Sequence, residues 1–144
     1  MFKKILFATD DSVHSEKVLP QLIDLAKTND SEVLIFNVHY IPENLKSGSM
    51  AHYTDLKKME KRLSEQGNKL VEDIKSKLEN ENIKVTTSLT NGPIAMSIVK
   101  KAHDENCDLI IVGTRGMGNI SNPLIGSVSN YVIHNAKCSV LLIH

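Results

Sequence analysis

This chain of 144 residues lacks tryptophan, carries two cysteines and four prolines, and devotes only 4% of its residues to aromatics. Two cysteines cannot build a disulfide framework, and Cys107 and Cys138 do not have zinc-ligand spacing, so they read as reduced, buried thiols. Charge of one sign is missing too: 17 Lys and Arg balance 17 Asp and Glu. Without a basic stripe for phosphodiester backbones or an acidic tail, nucleic acid is not an expected partner. No apolar run approaches the ~20 residues that span a bilayer. Met1-Phe2-Lys3-Lys4 leads directly into a strand-like run with no cleavage site. No membrane partner is expected, and the cytoplasm is the expected compartment. Internal repeats, low-complexity tracts and linkers are also absent, so the length implies one domain over residues 1–144.

What is present is an alternation of short apolar runs with amphipathic stretches, the pattern of βαβ units. Ile5-Leu6-Phe7-Ala8 is a continuous apolar strand, and Asp10-Asp11-Ser12 supplies turn and N-cap chemistry for a helix through Val18, Leu22, Ile23 and Ala26, bent at Pro20. Glu32 to Val38 is a second strand, followed by a loop from Ile41 to Gly48. Leu56, Met59, Leu63, Leu70, Ile74 and Leu78 then mark a long helix weakened in its middle by Gly67. Val85 to Leu89 is a third strand, Pro93 opens a helix carrying Ile94, Ile98, Val99 and Ala102, and Leu109 to Val112 is a fourth strand. A helix with Val128, Tyr131, Val132 and Ala136 precedes a last strand, Ser139 to Ile143. Right-handed crossovers turn this order into an open, five-stranded parallel α/β sheet with helices on both faces, Rossmann-like in class. Such sheets bind ligands beyond the carboxyl ends of their strands, where the strand order reverses.

The functional signal follows the fourth strand. Gly113-Thr114-Arg115-Gly116, nine further residues, and Gly126-Ser127 lie between that strand and the next helix. Glycines let backbone N–H groups close on an anion, and a helix opening at Gly126-Ser127 adds unpaired donors and a partial positive charge. Gly116, Gly118, Gly126, Ser127 and Val128 offer backbone N–H groups to phosphate, and the hydroxyls of Ser127 and Ser129 are adjustable donors. Arg115 suits a phosphate contact and a solvated position equally well. If the first and fourth strands are neighbours, Ala8, Thr9 and Asp10 at the first exit converge with the Val38 backbone and this loop on one crevice. Asp10 can orient ribose hydroxyls or hold Mg²⁺ through water.

With these residues in place, the whole chain resembles a universal stress protein of the UspA type, with an adenine-nucleotide alpha-hydrolase-like fold. Asp10-Asp11-Ser12 resembles the family's D-x-S after the first strand, and Gly92-Pro93 resembles its third-helix entry. Gly113, Gly116, Gly126 and Ser127 fit its ATP-associated G-x2-G-x9-G-[ST] pattern without a gap. The resemblance implies ATP with Mg²⁺ as ligand, a ribose and metal role for Asp10, and an adenine contact from the Val38 backbone. It departs at Lys137 and Ser139, where the family often has prolines, and at Ala8-Thr9, where an apolar-valine pair is common.

Turnover is not expected of this cradle. It has no lysine, the Walker pattern is absent, and no His or Glu lies within it to orient a water, so the chain reads as a binder and not an enzyme. The six histidines show no metal-ligand spacing. A receiver domain is disfavoured because Leu89-Thr90-Asn91 offers no phosphoacceptor aspartate. An NAD enzyme is disfavoured because no glycine fingerprint follows the first strand. The alternative that stands is a dimeric stress protein acting through protein contacts alone. A homodimer through residues 139–143, a downstream protein partner, and a ligand-ordered segment from Ile41 to His52 complete the expectations.

Overall fold

The computed structural model describes residues 1–9, 14–41, 48, 50–113 and 125–144, the side chains of residues 14, 15, 50 and 51 excepted. The expected ligand-ordered segment falls largely on residues 42–47 and 49, outside that range. Along the chain run β1 (Lys4–Thr9), α1 (His14–Asn29), β2 (Glu32–His39), α2 (Met50–Glu79), β3 (Lys84–Asn91), α3 (Ile94–Asp104), β4 (Leu109–Gly113), α4 (Ser127–Asn135) and β5 (Ser139–Ile143). All strands are parallel, in the spatial order β3-β2-β1-β4-β5.

Burial on both faces explains why the strands are continuous apolar runs instead of alternating ones. Ile5 and Phe7 of β1, with Val33 and Ile35 of β2, point to one face. There they pack with Val18 and Leu22 of α1 and Val71, Ile74 and Leu78 of α2. Leu6, Ala8, Leu34, Phe36 and Val38 point to the other face, against Ile98 and Ala102 of α3 and Val132 of α4. Each such large side chain withdrawn from water contributes about 1.5–3 kcal/mol, and none of these is more than 7% exposed.

Three helices stop by one device. Asp30, Asn82 and Asn106 take positive φ of 53, 60 and 53° just past α1, α2 and α3. In each case the following N–H reaches back to a carbonyl five residues earlier: Ser31 to Ala26, Ile83 to Leu78, and Cys107 to Ala102, at 2.9–3.1 Å. This is the Schellman arrangement with Asn or Asp in the left-handed position, and it turns each helix straight into the next strand. At the amino edge of the sheet, the Asp108 carboxylate accepts from the backbone N–H groups of Lys3 and Lys4 (2.9 and 3.2 Å).

The 30 residues of α2 span roughly 45 Å, against about 26 Å for an eight-residue strand, so its N-terminal half overshoots the carboxyl edge. Burial agrees: no residue from His52 to Gln66 is buried, and Met59, expected on the core stripe, is 36% exposed. The core stripe is instead Gly67, Val71, Ile74 and Leu78. Gly67 is therefore not simply a weak point. A Cβ there would lie 2.6 Å from Asn37 Oδ1 and 2.8 Å from Leu89 Cδ2, so its missing side chain is what lets α2 lie against β2 and β3. Gly67→Val should lower unfolding stability by about 1–3 kcal/mol through overpacking, against the small gain in helix propensity, as urea unfolding would measure.

Candidate functional site

Pairing ends unevenly at the carboxyl edge, and that unevenness makes the crevice. β1 and β4 are in register only from Ile5↔Leu109 to Phe7↔Ile111, which leaves Ala8-Thr9 and Val112-Gly113 beyond their last pair. This is where the strand order reverses, with the chain leaving β1 toward one face and β4 toward the other. On the other flank, β1 and β2 pair up to Thr9↔Asn37 while β2 and β3 continue to His39↔Asn91. Gly92 N–H donates to the His39 carbonyl at 3.0 Å, so His39 faces β3. Backbone groups alternate sides along a strand, and the Val38 carbonyl is accordingly aimed past the end of β1.

The remaining wall is the start of α4. Gly126 sits in extended backbone (φ −64°, ψ 163°), Asn130 N–H closes the first turn on its carbonyl at 2.9 Å, and among the described residues no side chain caps the helix. The N–H groups of Ser127, Val128 and Ser129 thus keep the donor capacity and partial positive charge of an uncapped first turn. The φ at Gly126 is one any residue adopts, so the backbone alone does not require glycine there. The position of α4 is fixed by Ser129, 3% exposed, whose hydroxyl donates to the Gly113 carbonyl at 2.9 Å. That bond ties the end of β4 to the helix start.

These contacts sort the expected site residues. Gly113, Gly126 and Ser127 stand at the crevice, with Ser127 exposed. Ala8 and Val38 bury their side chains in the core between sheet, α3 and α4, so each can meet a ligand only through its backbone, and the partly buried Val128 packs against the same core. Thr9 is buried at 2%, with its carbonyl accepting from Asn37 Nδ2 at 3.1 Å. The hydroxyl of Ser129, expected to be an adjustable phosphate donor, is instead committed to Gly113. Asp10, Arg115, Gly116 and Gly118 lie outside the described residues. Two residues were not anticipated. One is Asn37, whose only sequence signal is an amide within the apolar run Glu32–His39; the other is His39, whose buried Nδ1 has no hydrogen-bond partner among the described residues. His39 borders an open hollow of about 630 Å³ shared with Glu60 and Ser64 of α2 and Asn91 of β3.

A slightly larger hollow, about 690 Å³, lies away from the strand ends, between α3 and α4, with Ala102, Cys107, Ile110 and Cys138 among its walls. It is ill suited to polar chemistry. Burial pushes the Cys107 thiol up to about 11 and raises that of Cys138, so both stay protonated and poorly nucleophilic near neutrality. Both are free thiols, as the sequence implied. Among the described residues no cluster of three or more His, Cys, Asp or Glu side chains could hold a metal, and no helix is long and apolar enough to cross a membrane.

Comparison with known proteins agrees with this architecture. The family model described as "Universal stress protein family" matches residues 1–144. Universal stress protein YxiE of Bacillus subtilis (strain 168) is 29% identical, with 99% of each chain covered. Among solved structures, hypothetical protein MJ0577 superposes with a TM-score of 0.88 at 31% identity, covering 99% of this chain and 96% of its own. Two relatives of similar fold were solved with nucleotides, both at 18% identity. One is an Arabidopsis thaliana universal stress protein family protein with AMP bound (TM-score 0.71; 98% and 90% covered), the other a universal stress protein in complex with cAMP (TM-score 0.65; 99% and 97% covered).

The tie that sets α4 against β4 can be measured directly. Ser129→Ala leaves the Gly113 carbonyl without its hydroxyl donor and should cost about 1 kcal/mol, seen as a lower urea midpoint with an unchanged slope.

Proposed function

The chain belongs to the universal stress protein family, and we propose that within it this protein binds ATP with Mg²⁺ at the carboxyl edge and works as a nucleotide-dependent stress-response module. The observation that carries the reading is the gap between the ends of β1 and β4, closed on its far side by the uncapped start of α4. Phosphates would lie against the N–H groups of Ser127, Val128 and Ser129, whose positive end of the helix favours an anion, with Gly126 leaving room for approach. Adenine would meet the Val38 backbone, and Asp10 would face the ribose and the metal. The AMP and cAMP complexes of relatives support an adenine nucleotide, and the unbroken G-x2-G-x9-G-[ST] spacing supports one with a phosphate chain. The sequence from Gly113 to Ser129 carries no lysine, histidine or glutamate to drive phosphoryl transfer, which supports a bound state that persists over one that turns over.

Gly126→Val is a clean test, because a β-branched residue accepts the observed φ and ψ while its side chain would obstruct phosphate approach. Titration calorimetry should find saturable MgATP binding to the native protein and none to the variant, with circular dichroism unchanged. Undiminished affinity in a folded Gly126→Val variant would overturn the cradle.

We also propose that two copies pair through β5 in this family member's working form, in the cytoplasm, to present the bound state to a protein partner. The two sheet edges differ: β3 is rich in threonine and serine, whereas β5 reads Ser-Val-Leu-Leu-Ile. Val140 and Leu142 pack toward the α4 face, while Leu141, on the opposite face, is 37% exposed. An apolar edge with free N–H and C=O groups is satisfied by antiparallel pairing about a two-fold axis. Light scattering at micromolar concentration should give a dimer mass for the native chain and a monomer mass for Leu141→Lys; a native monomer defeats the idea.

A further inference from the structure

We propose that Asn37 is a positioning residue for the crevice: its amide holds the exit of β1, and Gly67 of α2 makes the space for it. The inference rests on the nucleotide reading above.

Asn37 is 6% exposed and belongs to the strand face that otherwise presents Val33 and Ile35. A buried amide among aliphatic side chains is costly unless it is paired, so an aliphatic residue would be the ordinary occupant here. Its Nδ2 donates to the Thr9 carbonyl at 3.1 Å. The orientation of the amide follows from the chemistry of the partner, since a carbonyl can only accept. Thr9 is the last paired residue of β1, in register with Asn37 itself. The side-chain bond therefore adds a lateral tie at the point where ladder pairing stops and the chain leaves toward Asp10.

A second unusual choice meets the first. Glycine in the interior of a helix costs about 1 kcal/mol against alanine, yet Gly67 stands in the middle of α2. A Cβ there would come within 2.6 Å of Asn37 Oδ1. The mid-helix glycine and the buried strand amide explain each other: the helix can cover Asn37 only where it carries no side chain. What they hold jointly is the last residue of β1, beside the outward-aimed Val38 carbonyl. A fixed exit lowers the ordering cost that a ligand at this edge must overcome.

Three substitutions of nearly equal reach at the γ position separate donation from packing. Asn37→Leu has no donor and Asn37→Asp has none when ionised, at neutral pH or above, whereas Asn37→His places Nδ1–H where the amide N–H stands. Hydrogen exchange on the ligand-free proteins and MgATP calorimetry are the readouts. Faster exchange at Ala8 and Thr9 and an ATP affinity weakened about tenfold or more are expected for Leu and Asp. Asn37→His should stay near native in both. Native exchange and native affinity in a folded Asn37→Leu or Asn37→Asp variant overturns the proposal, and so does a folded Asn37→His variant as impaired as Asn37→Leu. If the Leu variant fails to fold, the contrast between Asp and His decides. Should the native protein bind no ATP, the nucleotide reading fails by itself, and the role of Asn37 in a nucleotide site falls with it; exchange at Ala8 and Thr9 then tells whether the tie to Thr9 still holds the end of β1.

Discussion

The pairing of β1 with β4 is the constraint on which the rest of this structure depends. Until β3 the chain adds strands in one direction, with α1 and α2 on one face. α3 then carries it across the sheet to the other side of β1. From that crossing come the two separate cores and two opposite exits at neighbouring strands. The short register, ending at Phe7↔Ile111, leaves those exits apart. Helix α4 then begins beside the gap because Ser129 is bonded to the last residue of β4. The crevice is thus a consequence of topology.

Backbone does most of what the crevice can offer. Ala8, Val38 and Val128 spend their side chains on the core, Ser129 spends its hydroxyl on Gly113, and Thr9 is held by Asn37. Recognition through N–H and C=O groups needs the elements to be rigidly placed, since a backbone group cannot reorient toward a ligand as a side chain can. The buried polar ties at Ser129 and Asn37 provide that rigidity in the low-dielectric interior, where a satisfied hydrogen bond is costly to break. Two of the three principal walls of the crevice are fixed in this way.

The sequence made the element order and the sheet class legible, because period and punctuation agree along it: apolar runs for buried parallel strands, Pro93 before α3, glycines after β4. It was less informative wherever one residue type serves two purposes. Gly67 looks like a defect in a helix pattern and proves to be a contact point; only the distance to Asn37 distinguishes the two. Leu56, Met59 and Leu63 share the helical period of the true core stripe, but they lie on the part of α2 that overshoots the sheet, and period carries no information about length mismatch. The spacing marks Ser129 as a candidate donor but not its pairing with Gly113, since a hydroxyl's commitment to a carbonyl sixteen residues away is tertiary information. The left-handed Asp30, Asn82 and Asn106 were missed because Asn and Asp are common in exposed turns, where only φ identifies a helix stop.

The central claim is that an adenine nucleotide sits between the ends of β1 and β4, on the start of α4. Mapping backbone amide shifts by NMR as MgATP is added tests it most directly. The account predicts saturable shifts concentrated at Gly113, Gly126, Ser127, Val128 and Ser129, with a second set at Thr9, Val38 and His39. Shifts confined to Met96, Val99, His103 and Tyr131 around the α3 and α4 hollow, or no saturable shift at all, would contradict it.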